Sequence, residues 1–302
     1  MKKGKIILSV LFIAFGCVLF FNACKKDRVP QDDYQDMDSF YDDNKEQEQE
    51  YQIDSSGCQC SFGGGPCMLT CSLGTRLCVA AGMFADANGN DISYPFKIKV
   101  VELYTIKHML LWRLPSVSGG NILETSAEIR VRAFKNNDEL HLKPGMAYYM
   151  EMANMPVINH DMHVYYAPNT DWQLATDPIS VVSDTLSYYR LLVGQMGFVS
   201  AARLHSSSSP NTTITLTVPG TNTQNIQSYL SFSNFKGLMR ITNLVSGPVP
   251  EGEQVKMVAF GKKQTNDYVL HEQSFAVSSN QTIPLSMQVV TLSALLAALA
   301  GL

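Results

Sequence analysis

Five cysteines, Cys58, Cys60, Cys67, Cys71 and Cys78, crowd into one short stretch, and thiols at that density either bond to one another or hold a metal. In an exported chain the expectation is two disulfides bracing the Gly63-Gly64-Gly65-Pro66 loop against the first strand, with one thiol left over. Cys58 and Cys60 do not pair with each other, because cysteines two apart rarely reach disulfide geometry. The alternatives are fully reduced packing and a closed zinc centre; for zinc the spacing offers enough thiolates but lacks the C-x2-C knuckles of familiar zinc sites. His160-Asp161-x-His163 brings two imidazoles and a carboxylate together in sequence, yet a metal site needs a third ligand and a supporting shell. These residues are therefore read as exposed groups in a polar connection, and the unfavoured alternative built on them is a metal-dependent hydrolase. Glu102, Glu124 and Glu128 are read as solvated acids on strand faces. A Gly-x-Ser-x-Gly elbow, a phosphate-cradling glycine loop and a His-Glu-x-x-His pair are all missing from the sequence. The expectation is a non-enzyme with no catalytic residue, no metal and no cofactor.

Aromatic residues give the second kind of chemistry. Tyr148-Tyr149, Tyr165-Tyr166, Trp172 and Tyr188-Tyr189 gather in the middle third, and on a strand one member of each adjacent pair faces outward. Outward rings stack on sugars or anchor a protein partner, so Tyr165, Tyr166 and Trp172 are the candidate ligand-binding residues. The competing reading places these rings on sheet faces as cross-strand pairs.

The N-terminus states where such a molecule would work. Lys2, Lys3 and Lys5 supply positive charge, Ile6 to Phe21 an apolar run, and small Ala23 precedes Cys24, which polar Lys25-Lys26-Asp27 follows at once. The pattern resembles a bacterial lipoprotein box, with Phe21 where an aliphatic residue is usual. That resemblance implies a signal peptide over 1–23, diacylglycerol on the Cys24 sulfur and a further acyl chain on its amine. Cys17 is the rival site, but apolar residues follow it with no polar exit. Two or three acyl chains anchor stably where one does not. The expected location is the cell envelope, on either face of the outer membrane, with the membrane itself as first partner.

Stepping along the chain, residues 24–54 read as a disordered acidic linker: ten acids face one lysine between 31 and 54. The net charge of −4 belongs to this segment, since 55–302 holds 16 bases and 16 acids. That balance leaves no basic field for a nucleic acid. Beyond it the apolar period is mostly two. Phe96, Ile98 and Val100 alternate with Lys97 and Lys99; Ile129, Val131 and Ala133 alternate with Arg130 and Arg132; Ile214, Leu216 and Val218 alternate with threonines. At Val100-Val101 the phase slips, which predicts a bulge. Asn88-Gly89, Gly119-Gly120, Asn136-Asn137, Pro144-Gly145 and Pro219-Gly220 read as turns. Leu292, Leu295, Leu296 and Leu299 after Thr291 predict a short C-terminal helix that plugs an open sheet end. The fold class is all-β, with one or two β-sandwich modules. Residues 55–78 form a Cys-rich lead into the first strand, 74–152 a first module, and 153–302 a second with the terminal helix.

The stretches Gly82 to Asn90, Val101-Glu102-Leu103-Tyr104 with His108 to Leu111, Gly119 to Thr125, and Glu139 to Gly145 carry a family resemblance. They are similar to uncharacterised exported β-sandwich lipoproteins of Bacteroidota, whose processed start also looks like Cys24-Lys25-Lys26-Asp27. The likeness covers about Gly74 to Met152, and its motifs are turn and strand signatures. This chain departs from the group at Phe198, Val199 and Ser200, where a Trp and polar residues are frequent. The resemblance implies a tethered β-sandwich, with Asp184-Thr185-Leu186 looking like an O-glycosylation site used by exported proteins of those bacteria. Thr185 would bear the glycan. The expected role is a non-catalytic binding or structural module, with an adhesin-like protein that meets a glycan or an envelope protein as the alternative.

Overall fold

The structure, a computed structural model, describes residues 34–54, 68–152, 158–183, 187–218 and 225–302. In chain order the elements are β1 (Tyr34–Gln35), α1 (Asp38–Asn44), β2 (Gln49–Ile53), β3 (Leu69–Thr70), β4 (Arg76–Cys78), β5 (Phe84–Ala85), β6 (Phe96–Leu103), α2 (Ile106–Leu111), β7 (Val117–Ser118), β8 (Asn121–Lys135), β9 (Asp138–Leu142) and β10 (Tyr148–Met152). Then follow β11 (His163–Ala167), β12 (Gln173–Leu174), β13 (Ile179–Ser183), β14 (Ser187–Val193), β15 (Gly197–Leu204), β16 (Asn211–Thr212), β17 (Thr215–Thr217), β18 (Gln227–Phe232) and β19 (Leu238–Ile241). The chain closes with β20 (Val249–Pro250), β21 (Gln254–Lys263), β22 (Tyr268–Ala276), β23 (Thr282–Pro284), β24 (Gln288–Val290) and α3 (Leu292–Ala300).

Strand alternation builds the first sandwich. A central sheet, ordered β12-β11-β15-β8-β6-β2 with β9 added beside β8, faces an outer sheet ordered β13-β14-β10-β4-β3. Phe96, Ile98 and Val100 of β6, with Ile129, Val131 and Ala133 of β8, meet Leu77, Tyr148, Met150, Tyr189 and Leu191 from the outer sheet. Each such side chain taken out of water stabilises the fold by about 1.5–3 kcal/mol before entropy is counted. The sheet's other face is buried as well. There Val101, Leu103, Leu123, Tyr165 and Ala202 pack with α1, α2, α3 and one face of a third sheet, ordered β19-β18-β21-β22-β24 with β1 against β21. The far face of that third sheet, through Leu230, Phe232, Val255 and Met257, closes over two small ribbons, antiparallel β16–β20 and parallel β17–β23. The fold is all-β and sandwich-like, with a short C-terminal helix.

Three expectations change. Lys97 to Leu103 pair with Phe134 to Glu128 without a register shift, so no bulge lies at Val100-Val101. The phase slip marks instead a strand that passes from one buried face to two, Val100 facing the first core and Val101 the second. The one irregularity against β8 falls between Ser200 and Ala202 of β15. The boundary near residue 152 is displaced too. Strands β11 and β15 hydrogen-bond into the central sheet and β13 and β14 into the outer one, so the first sandwich runs to Leu204. The sequence turns polar around 158–163 because that segment is a connection between the two sheets of one sandwich.

The third correction concerns the acidic linker, which is folded from Tyr34 onward. Met37, Phe40 and Tyr41 are 3%, 2% and 2% exposed. They stand at i, i+3 and i+4, the spacing of one helix face, and that face lies on the second core. Strand β2 then pairs antiparallel with β6 from Gln49 opposite Val100 to Ile53 opposite Phe96. Glu50 of β2 and Glu48 just before it meet the bases that alternate along the central strands. Glu50 lies 2.5 Å from Lys97 Nζ and 3.7 Å from Lys99 Nζ, and Glu48 lies 3.7 Å from Arg132.

The turn residues sit where expected: Gly89, Gly119, Gly120, Asn136, Asn137 and Gly145 all have positive φ. Pro219-Gly220 lies outside the described residues. Helix α3 begins after Thr291, whose hydroxyl accepts the Ala294 N–H at 3.1 Å, and buries Leu295 and Leu299 against the second core. Among the described residues no helix is long and apolar enough to cross a membrane.

Candidate functional site

A cleft of about 330 Å³ opens between α1 and the exit of α2, lined by Asp38, Tyr41, Asp42, Lys45, Leu111, Trp112 and Arg113. Thr105 starts α2 by accepting the His108 N–H at 3.2 Å, and Met109, Leu110 and Leu111 plug into the second core. The helix ends when Arg113 enters the left-handed region at φ 52, a position usually given to glycine. Its N–H reaches the Leu110 carbonyl at 2.9 Å and the Leu114 N–H reaches that of Met109 at 2.9 Å. This reversal leaves Trp112 at the surface, partly exposed, and turns Arg113 back over α1.

Each wall is fixed by its neighbours. The Trp112 Nε1–H donates to the Glu46 carbonyl at 3.1 Å, and its ring meets Phe198 edge-on, with centroids 5.8 Å apart. The Arg130 guanidinium lies 5.8 Å from the Trp112 ring and 5.5 Å from Phe198, while Lys45 Nζ lies 5.2 Å over Trp112. Across the cleft, Arg113 sits 4.1 Å over the Tyr41 ring and pairs with Asp38. Asp42 pairs with Lys45 at 2.6 Å, and that hydrogen bond holds the carboxyl below its ordinary range. The Tyr41 hydroxyl is within 3.0 Å of the Tyr229 hydroxyl, and burial pushes both phenols up. The cleft thus combines an indole, two carboxylates, a guanidinium and an ammonium. An aromatic face takes C–H-rich ring surfaces while paired acids and bases exchange hydrogen bonds with hydroxyls.

The candidates chosen from sequence lie elsewhere. Tyr165, Tyr166 and Trp172 are 3%, 4% and 1% exposed, which removes them as a binding platform. Strand β11 is sandwiched: Tyr165 enters the second core and Tyr166 the first, so neither member of that pair faces solvent. Tyr166 Oη accepts the Gly194 N–H at 2.9 Å, and Trp172 Nε1–H donates to the Pro115 carbonyl at 3.1 Å. His160 and Asp161 lie in an exposed turn and His163 opens β11 at the surface. Among the described residues no group of three His, Cys, Asp or Glu could hold a metal ion.

The three strand acids are not solvated faces. Glu102 is buried and takes the N–H groups of Leu73 at 2.8 Å and Thr75 at 2.9 Å, closing the turn before β4. Glu128 is fully buried and accepts from Ser116 Oγ at 3.0 Å; burial pushes its carboxyl well up and the nearby Lys236 ammonium down. Lys236 donates to the Ser126 carbonyl at 2.6 Å. Glu124 joins the first sandwich to the third sheet. His205 Nδ1 lies 2.9 Å from Glu124 and its Nε2 3.1 Å from Glu253, with the ring stacked 4.3 Å from Phe235.

Cys71 is a buried free thiol rather than half of a disulfide, held in the first core beside Leu77. No disulfide joins two described residues. Cys24, Cys58, Cys60, Cys67 and Thr185 lie outside the described residues. Sequence reasoning passed over Trp112-Arg113. The available signal was a bulky ring and a cation following at once on the apolar Met109-Leu110-Leu111 run. No family model, curated protein or solved structure matches this chain.

Proposed function

We propose that this protein is a lipid-anchored, non-catalytic binding module of the bacterial outer membrane that takes carbohydrate at the Trp112 cleft. The observation that carries the reading is the partly exposed Trp112 indole among Asp38, Asp42, Lys45 and Arg113, a set suited to stacking on a sugar ring and bonding its hydroxyls. The reading is of binding; the Glu128 carboxyl, which accepts from Ser116, is sealed in the interior and takes no part in it. The Lys2-to-Cys24 pattern supports the anchoring, and with it an envelope location for the cleft. Cys78 pairs in this reading with Cys58, Cys60 or Cys67.

The full chain in detergent, applied to a glycan array and then titrated with the best neutral or acidic oligosaccharide, tests the site. Trp112→Ala should weaken binding roughly tenfold, the scale of one lost aromatic contact, while Trp112→Phe keeps most of it. Equal affinity of Trp112→Ala and the parent would overturn the assignment. A clickable fatty acid that labels the parent and not Cys24→Ser tests the anchor.

A further inference from the structure

Granting the Cys24 anchor, we infer that the end of the third sheet carrying Tyr34, Gln35 and the β21–β22 turn faces the membrane. The exit point of the tether is clamped. Tyr34 and Gln35 pair with Lys263 and Lys262, and Asn225 Nδ2 donates to the Tyr34 carbonyl at 2.6 Å. Gln35 Nε2 reaches across the turn to the Gln264 carbonyl at 3.2 Å and to Asn266 Oδ1 at 3.4 Å. The Tyr34 ring is 8% exposed and lies so close over Gly261 that an added methyl there would come within 3.0 Å of it. The chain therefore leaves the body at one defined place.

Ten residue steps separate Cys24 from Tyr34, and whatever their conformation these span at most about 36 Å. Strand β8 alone, 15 residues long, runs to about 50 Å. A tether of that reach keeps the Tyr34 end against the lipid and leaves any part of the body more than about 36 Å from that exit unable to take its place. Charge adds little to the placement, because Lys262 and Lys263 with the three bases of residues 25–33 are offset, but for one charge, by Asp267 and the three acids of the same segment. The orientation is a matter of reach and is independent of salt. It also sets the neighbourhood of the cleft, since Asp38 lies only four residues beyond Tyr34.

The test uses the full acylated chain in vesicles of phosphatidylethanolamine and phosphatidylglycerol that carry a headgroup-labelled acceptor lipid. A fluorescent amino acid is placed at exposed Thr265 in the β21–β22 turn, or at exposed Asp138 at the start of β9 in the first sandwich. Energy transfer should be several-fold stronger from position 265 than from 138, and equal at low and high salt. Equal or reversed transfer in a chain that bears its acyl label and floats with the vesicles overturns the orientation. Loss of both the acyl label and flotation overturns the anchor, and this inference with it.

Discussion

Trp112 and Trp172 show how position decides the work of one residue type. Trp172 is walled into the second core with its N–H spent on the Pro115 carbonyl, so it contributes packing. Trp112 follows a helix that ends in a left-handed arginine, and the reversal holds its ring at the surface with cations nearby. Cys71 makes the same point for thiols. Burial, with the Glu102 carboxylate adding to it, pushes its thiol up to about 12. Only about one molecule in ten thousand carries the reactive thiolate at pH 8. Iodoacetamide should therefore leave Cys71 unmodified in the native protein. Denaturation should then open Cys71 to alkylation, mapped by peptide mass; native labelling at that position would contradict its burial.

At the scale of elements, the acidic segment and the basic strand faces are two halves of one contact. Lys97, Lys99 and Arg132 alternate along β6 and β8, and Glu48, just before β2, and Glu50 of β2 meet them. Partly exposed ion pairs of this kind are worth about 0–1 kcal/mol each. They align the segment, while Met37, Phe40 and Tyr41 hold it down. Phe40→Ala should accordingly destabilise the protein by about 3–5 kcal/mol. Trypsin should cut after Lys45 much faster in that variant than in the parent. Equal cleavage rates would mean that α1 does not dock.

At the scale of the whole molecule, the second core is shared property. Val101 and Leu103 from the central sheet, Tyr229 and Phe260 from the third sheet, and Leu295 from α3 bury one another, so neither sandwich completes its interior alone. Backbone bonds from Ser116 and Thr125 to the carbonyls of Leu238 and Lys236, at 2.7 and 2.8 Å, add to the joint. Heat or urea should unfold the described body in one transition, with far-ultraviolet circular dichroism and Trp fluorescence coincident. His205→Ala, which leaves Glu124 and Glu253 without the ring between them, should lower the midpoint without splitting that transition; two resolved steps in the parent would refute the shared core.

The sequence by itself determined the all-β class, the strands Phe96 to Val100 and Ile129 to Ala133, the glycine and asparagine turns, and the capped terminal helix. Each is set by side-chain periodicity or local backbone preference, which neighbours in the chain express without help. Only the tertiary structure decided that Tyr165-Tyr166 has a core on each side, that the acidic run from Tyr34 to Asp54 need not mean disorder, and that Trp112 stays at the surface. Those outcomes depend on which distant face arrives opposite. A half-buried strand and a strand between two layers differ by a partner that one-dimensional spacing does not contain, and burial of a charged segment depends on cations far away in sequence.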